Sequence, residues 1–249
     1  GGLKDELAEI VIGGPMMGFL EPDSSRPITK TCGGFLVLSE DHPLIVQRKR
    51  SLRAVNRICK AACDQCSYCT ELCPRYLLGH PIEPHKAMRG LVFSREGVEM
   101  VSGTEFCCEC NLCSLYSCPE GLDPKNVCVQ SKALIRASGR KHPRLKQPCR
   151  PHLLASGRGA PISRLMQKLG LRSYDNHGPL STETIRPQKV VLPRKQHVGV
   201  VAEPTVRPGD VVAKGDLVAD VREDQLGAPL HASISGRITA VEPDIVIEA

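Results

Sequence analysis

The residues able to do redox chemistry gather in one stretch, Cys63-Asp64-Gln65-Cys66-Ser67-Tyr68-Cys69-Thr70-Glu71-Leu72-Cys73-Pro74. They recur in its echo, Cys107-Cys108-Glu109-Cys110-Asn111-Leu112-Cys113-Ser114-Leu115-Tyr116-Ser117-Cys118-Pro119. Three thiols spaced by two residues let one tight turn wrap three corners of an iron–sulfur cubane, and the later Cys-Pro supplies a fourth thiolate. Two runs predict two [4Fe–4S] clusters. Where a chain has two such runs, the fourth cysteine of one usually ligates the cluster of the other. This rule assigns Cys63, Cys66, Cys69 and Cys118 to one cluster, and Cys107, Cys110, Cys113 and Cys73 to the second. Cys107 is preferred over Cys108 because it leaves the two-residue gap to Cys110, with the neighbouring thiol kept as an alternative. The second run also has four residues between its last two cysteines where the first has three, so a larger loop must be accommodated there. No catalytic side chain is assigned.

Two blander readings fit less well. Structural zinc prefers well-separated cysteine pairs, whereas each run here packs four thiols closely together. Disulfides would leave one of the 13 cysteines unpaired, and no secretory signal precedes them. The chain opens Gly-Gly and is read as the C-terminal part of something longer.

Composition narrows the partners. Aromatic residues make up 3% of the 249 and Trp is absent, so the stacking platforms of single-stranded nucleic-acid binding are missing. No apolar run approaches the length of a membrane span, which leaves peripheral membrane association at most. The net charge of +6 is concentrated. Between Asp123 and Asp175 twelve Lys or Arg residues occur without one acidic residue, either a solvated linker or a docking surface for an acidic or phosphate-bearing partner.

The elements that must position the thiols read as follows. Leu3, Leu7 and Ile10 have helical spacing. Glu9-Ile10-Val11-Ile12 then leads as a strand into Gly13-Gly14-Pro15-Met16-Met17-Gly18, which is no phosphate loop. Pro27 to Leu38 reads as an extended stretch entering a buried strand, with Cys32 as a small core residue. A helix from Ser51 to Cys59, capped by Ser51, delivers the chain into the first run. Cys59 could face a cluster but stays unassigned. Helical pieces follow at Leu77-Leu78, Pro84–Phe93 and Val98–Val101. His80 and His85 flank a Pro-rich corner, where surface or capping roles outweigh metal ligation or proton relay. Asp123-Pro124 caps a helix over Val127–Ile135, with Cys128 in its core face. Residues 138–185 read as connector apart from one short amphipathic helix at Ile162–Leu171.

From Lys189 short β-branched runs alternate with turns: Val190–Leu192, Val198–Val201, Val211-Val212, Leu217–Val221, Ala232–Ile234, Arg237–Val241 and Ile245–Ile247. The predicted class is α+β: a helical two-cluster ferredoxin-type domain followed by a small all-β domain. The segments are residues 1–50, a remnant of an upstream α/β region; 51–137, the cluster domain; 138–188, a basic linker; and 189–249, the β domain.

Arg207-Pro208-Gly209-Asp210-Val211-Val212-Ala213-Lys214-Gly215-Asp216-Leu217 and His231-Ala232-Ser233-Ile234-Ser235-Gly236-Arg237-Ile238 resemble the barrel-sandwich hybrid of biotinyl and lipoyl carriers. Those carriers place a Lys at the tip of the second hairpin. The corresponding Arg222-Glu223-Asp224-Gln225-Leu226-Gly227 has none, so an unmodified structural module is expected. With Gly13–Gly18, Pro27-Ile28-Thr29-Lys30 and the two runs, the chain resembles the RnfC family of the Rnf electron-transport complex. Glu109–Cys113 and Cys118-Pro119-Glu120-Gly121-Leu122-Asp123-Pro124-Lys125-Asn126, with the β module after the clusters, resemble most the cobalamin (corrin) reductases of propanediol-utilising bacterial microcompartments.

That resemblance implies electron transfer from NADH through FMN and the clusters to a corrinoid substrate, supporting adenosylcobalamin regeneration. FMN and NADH are expected on the upstream region, and this chain carries the cluster relay. A cobalamin adenosyltransferase and microcompartment components are the implied partners, with no nucleic acid and no transmembrane segment, at a cytoplasmic, microcompartment location. The alternative implied by the wider family is a membrane-associated relay between ferredoxin and NAD.

Overall fold

The computed structural model describes residues 8–91, 101–139, 149–174 and 180–249. They divide into two compact units. One lies within Gly1–Glu21 and Leu36–Asn176, the other within Pro22–Phe35 and His177–Ala249. The first unit joins stretches that the sequence pattern separates at residues 50 and 137, and the second takes in an early excursion at 22–35.

The first unit opens with strands β1 (Ala8–Ile12), β2 (Phe19–Glu21) and β3 (Phe35–Ser39), in the order β2-β1-β3. β1 and β2 form an antiparallel hairpin with Val11 opposite Leu20. Ile10 lies in the strand expected over Glu9–Ile12, despite its helical spacing from Leu3 and Leu7, because cross-strand pairing satisfies this β-branched run. Leu3 and Leu7 lie outside the described residues. The hairpin closes through the Gly-Pro turn, and Gly18 is required: a Cβ there would lie 2.6 Å from the carbonyl oxygens of both Ile12 and Gly14. The strand expected to be buried is an edge strand. Leu38 is buried, whereas Phe35 and Val37 face solvent on the alternate positions. Cys32, expected in the core, is only half-buried, with its Sγ 3.7 Å from the Gly34 carbonyl oxygen.

Helices supply the rest. They are α1 (Pro43–Arg48), α2 (Leu52–Ala62), α3 (Tyr68–Glu71), α4 (Pro74–Leu77), α5 (Pro84–Gly90), α6 (Pro124–Ala137) and α7 (Ile162–Lys168). Ser51 caps α2 by accepting from the Ala54 amide, and Asp123 caps α6 by accepting from the Asn126 amide, with Pro124 at the first helical position. Of the helical pieces expected between the runs, Leu77 closes α4 with Leu78 as its cap, and the piece expected over Pro84–Phe93 forms over Pro84–Gly90. The stretch 92–100 lies outside the described residues. A tight 3₁₀ segment then spans Ser102–Phe106.

Two apolar clusters hold this unit. Val11, Leu38, Leu44 and Ile45 pack with Leu169 and Leu171, so the stretch expected as a short amphipathic helix turns its apolar face into a core. Val55, Cys59, Ala87, Met88, Leu122, Val127 and Cys128 form the second cluster, with Cys63, Cys107 and Cys118 packed against it. The basic segment is anchored too. Arg158 pairs with Glu71 at 3.1 Å, and Lys168 donates to the Tyr116 carbonyl oxygen at 2.6 Å. Arg140, Lys141, Arg144 and Lys146 lie outside the described residues.

The second unit stacks a four-stranded sheet, β4 (Lys189–Leu192), β10 (Ile245–Glu248), β9 (Gly236–Ala240) and β6 (Val211–Val212), and a three-stranded one, β5 (Glu203–Pro204), β7 (Leu217–Asp220) and β8 (Leu230–His231). All pairs are antiparallel. Val218, Ala219, Ile238, Ile245 and Ile247 fill the shared core. Arg207–Asp210 and Ala213–Asp216 form twin turns: in each, the aspartate accepts at 2.8 Å from the amide three residues earlier, and the central glycine has φ near +100°. Val198–Val201 is not a strand. The chain there crosses the Leu226-Gly227 turn, and a Cβ on Gly199 would lie 2.3 Å from the Leu226 oxygen. Ala232–Ile234 likewise falls after β8. The α+β class, a helical cysteine-bearing unit and an all-β unit, is what the structure has. Among the described residues no helix is long and apolar enough to cross a membrane.

Candidate metal centre

The two cysteine runs share an uncommon backbone. Gln65 and Ser67 have φ of 62° and 67°, and Glu109 and Asn111 have φ of 60° and 67°. These left-handed, non-glycine residues stand two and four positions after Cys63, and two and four after Cys107. Each such residue costs about 1–3 kcal/mol and persists where the surroundings impose it. Left-handed residues at alternate positions curl successive amides into a concavity suited to anions, as at many iron–sulfur sites. Hydrogen bonds to sulfur follow: Gln65 Nε2 donates to Cys63 Sγ at 3.2 Å, and the Glu109 amide donates to Cys107 Sγ at 3.4 Å.

The thiols gather in two groups. Burial, then the nearby thiols of Cys63, Cys66 and Cys118, push Cys69 up to about 12. Burial, then the Asp64 carboxylate and Cys118, also raise Cys66. Cys118, from the second run, thus lies with the first three cysteines. Conversely, Cys73 is raised first by burial and then by Cys107 and Cys108. Cys110 is pushed up to about 11 by burial, with Cys108 and Cys73 adding. Buried Cys113 is raised by burial and by Cys107, Cys69, Cys110 and Cys73. Cys73 therefore lies with the second run. Closely packed thiols without a counter-charge resist ionisation, a conflict that a polynuclear cation would relieve.

Six thiols line one cavity: Cys73, Cys107, Cys108, Cys110, Cys113 and Cys128, together with Lys125 and Pro74. Among the described residues no three Cys, His, Asp or Glu side chains converge on a point that would hold a single metal ion. A cubane asks for a different arrangement, four thiolates that each bind a different iron. On donor type, count and backbone the two groups fit [4Fe–4S] clusters.

The groups differ in their surroundings. Cys113–Ser117 winds as a wide π-type turn, which takes up the extra residue of the second run. Lys132, 11% exposed, donates to the Cys107 carbonyl oxygen at 2.8 Å and pairs with Glu109 at 2.9 Å. A side-chain hydrogen bond with Cys128 lowers Cys107 and raises Cys128. Beside the first group, Thr70 Oγ1 lies 2.8 Å from His85 Nδ1 and accepts from the His85 amide at 3.1 Å, so His85 buttresses the turn carrying Cys69. Cys59 neighbours Cys63 and Cys118 and accepts from the Asp123 amide at 3.5 Å. Asn111 reaches out of the second run to donate to the Met16 carbonyl oxygen at 3.0 Å, tying the Gly-Pro hairpin to it.

Spacing within the runs could not reveal Lys132. The available signal is on α6, where Cys128 and Lys132 stand four residues apart on one face.

Residues 62–123 match the 4Fe-4S dicluster domain, and residues 173–249 match the RnfC barrel sandwich hybrid domain. The chain is 37% identical over 248 residues, 99% of its length, to the cobalamin reductase PduS of Salmonella typhimurium. It is 37% identical over 243 residues to the same-named protein of Citrobacter freundii. It covers 54% and 53% of these two relatives, so it spans about half their length. Over 55 residues, 22% of this chain and 10% of the relative, it is 47% identical to the RnfC-type component of the ion-translocating oxidoreductase complex of Rhodobacter capsulatus. The chain is therefore a relative of the PduS cobalamin reductases and of the RnfC-type proteins, joining an iron–sulfur dicluster domain to an RnfC-type barrel-sandwich hybrid.

Proposed function

We propose that this chain is the electron-transfer part of an NADH- and flavin-dependent cobalamin reductase. In this reading Cys63, Cys66, Cys69 and Cys118 hold one [4Fe–4S] cluster, and Cys107, Cys110, Cys113 and Cys73 hold the other. The observation that carries it is that Cys118 neighbours Cys66 and Cys69 while Cys73 neighbours Cys107 and Cys113, between two runs of matching backbone. That match also supports Cys107 over Cys108, since Cys107 stands where Cys63 does relative to the two left-handed residues. When bound, such clusters supply one-electron steps over a broad potential range, roughly −700 to +450 mV. The chain's own residues hold the thiolates apart, bury Cys69, Cys73 and Cys113, and direct Lys132 toward the second group.

FMN and NADH belong on sequence outside this chain, and the corrinoid is substrate. A cobalamin adenosyltransferase and microcompartment components are the proposed partners, in the service of propanediol utilisation inside a cytoplasmic microcompartment. The test is anaerobic reconstitution, reduction with dithionite and addition of cob(II)alamin. Reoxidation of the cluster absorbance is expected. Clusters that stay reduced would count against corrinoid reduction. The match of residues 173–249 to the RnfC domain favours one alternative, a relay between ferredoxin and NAD at a membrane. Reoxidation by ferredoxin with none by cob(II)alamin would select it.

A further inference from the structure

Cys149 belongs to neither cysteine run. Residues 149–152 lie across the end of α4. The His152 amide donates to the Leu77 carbonyl oxygen at 2.8 Å, and the His152 and Tyr76 rings stand 5.5 Å apart. Gly79 approaches so closely that a Cβ there would lie 2.1 Å from the Arg150 oxygen. These contacts fix Cys149 beside His80, with Sγ 3.6 Å from Nδ1.

His80 is itself held on two further sides. Its ring stacks on Phe106 with centroids 5.6 Å apart and 25° between planes. Arg75 Nη1 lies 3.4 Å from Nε2. A guanidinium has donors and no acceptor, so Nε2 accepts, and the imidazole carries its proton on Nδ1. Nδ1–H then donates to the Cys149 sulfur. A half-exposed sulfur hydrogen-bonded to an imidazole that is itself held by Arg75 and Phe106 is both accessible and fixed in direction, the geometry of a cysteine nucleophile beside its histidine.

We propose that Cys149 is a nucleophilic, redox-reactive thiol, activated by His80 and Arg75, that exchanges with small-molecule disulfides. The Cys149 thiolate forms a new S–S bond to one sulfur of the disulfide as the old S–S bond breaks. Cys149 sulfur is oxidised. The departing half leaves with the bonding electron pair as a thiolate and takes a proton from solvent. An adduct here must displace residues 149–152 from Leu77–Gly79, the stretch that follows Cys73. The assignment stands whether or not the cysteine runs hold clusters.

The test uses 5,5′-dithiobis(2-nitrobenzoate) on the anaerobically reconstituted chain, with adducts mapped by mass. Cys32, half-buried and facing a carbonyl oxygen, is the internal reference. Cys149 is expected to react roughly tenfold faster than Cys32. His80→Phe keeps a ring against Phe106 but lacks the donor, and it should slow Cys149 about fivefold or more while leaving Cys32 unchanged. Equal rates at Cys149 and Cys32 in the parent chain overturn the proposal without any variant, and so does a parental Cys149 rate in His80→Phe.

Discussion

The two cysteine runs are the same device set in different surroundings. Both place left-handed residues two and four positions after the first cysteine, and both lend their last cysteine to the other group. The first run closes with an ordinary helical turn at Tyr68–Glu71, buttressed by Thr70 and His85. The second closes with a wide turn at Cys113–Ser117 and faces Lys132, Lys125 and the additional thiols of Cys108 and Cys128. The shared backbone suits a cubane at either run, while side chains beyond the runs give the two sites different electrostatics.

The largest expected effect separates the sites outright. Cys69→Ala and Cys113→Ala should each lower iron and acid-labile sulfide by about half, since each removes one of two [4Fe–4S] sites. Equal loss of both clusters from either change would break the idea of two separable sites. Lys132→Gln removes a cation 2.8 Å from the Cys107 carbonyl oxygen. It should move the second site to more negative potential, leave the first unmoved, and cost about 1.5–3 kcal/mol for the lost charged hydrogen bonds. An electron-paramagnetic-resonance redox titration with thermal unfolding reads both. Asp123→Ala should cost about 1–2 kcal/mol. It uncaps α6 and strips a partner from buried Ser114, whose Oγ donates to Asp123 at 2.8 Å. The smallest effect belongs to the first run: Thr70→Val removes the His85 bond for about 1 kcal/mol and should leave the second site's spectrum unchanged.

What was legible depends on neighbours in sequence: the two cysteine runs of matching backbone, Cys63 to Cys73 and Cys107 to Cys118, and the caps Ser51 and Asp123. The twin aspartate turns at Asp210 and Asp216 are likewise local, each closed by an amide three residues earlier. What stayed hidden depends on distant partners. Lys132 meets Cys107 across 25 residues, and the amphipathic stretch at Ile162–Leu171 does not reveal that Leu169 and Leu171 join a core begun by Val11. Phe35 and Val37 look like core residues in sequence, yet an edge strand exposes them. Val198–Val201 has strand composition, but its path is set by close approach to the Leu226-Gly227 turn.

Crossed wiring is best tested in double variants, by iron and acid-labile sulfide content after reconstitution. If Cys73 serves the second run's cluster, Cys73→Ala/Cys113→Ala damages one site twice and retains about half of the parental iron, whereas Cys73→Ala/Cys69→Ala retains almost none. The reverse pattern, near-complete loss in the first pair and half retention in the second, would mean that each run keeps its own fourth cysteine and would contradict the interleaved arrangement.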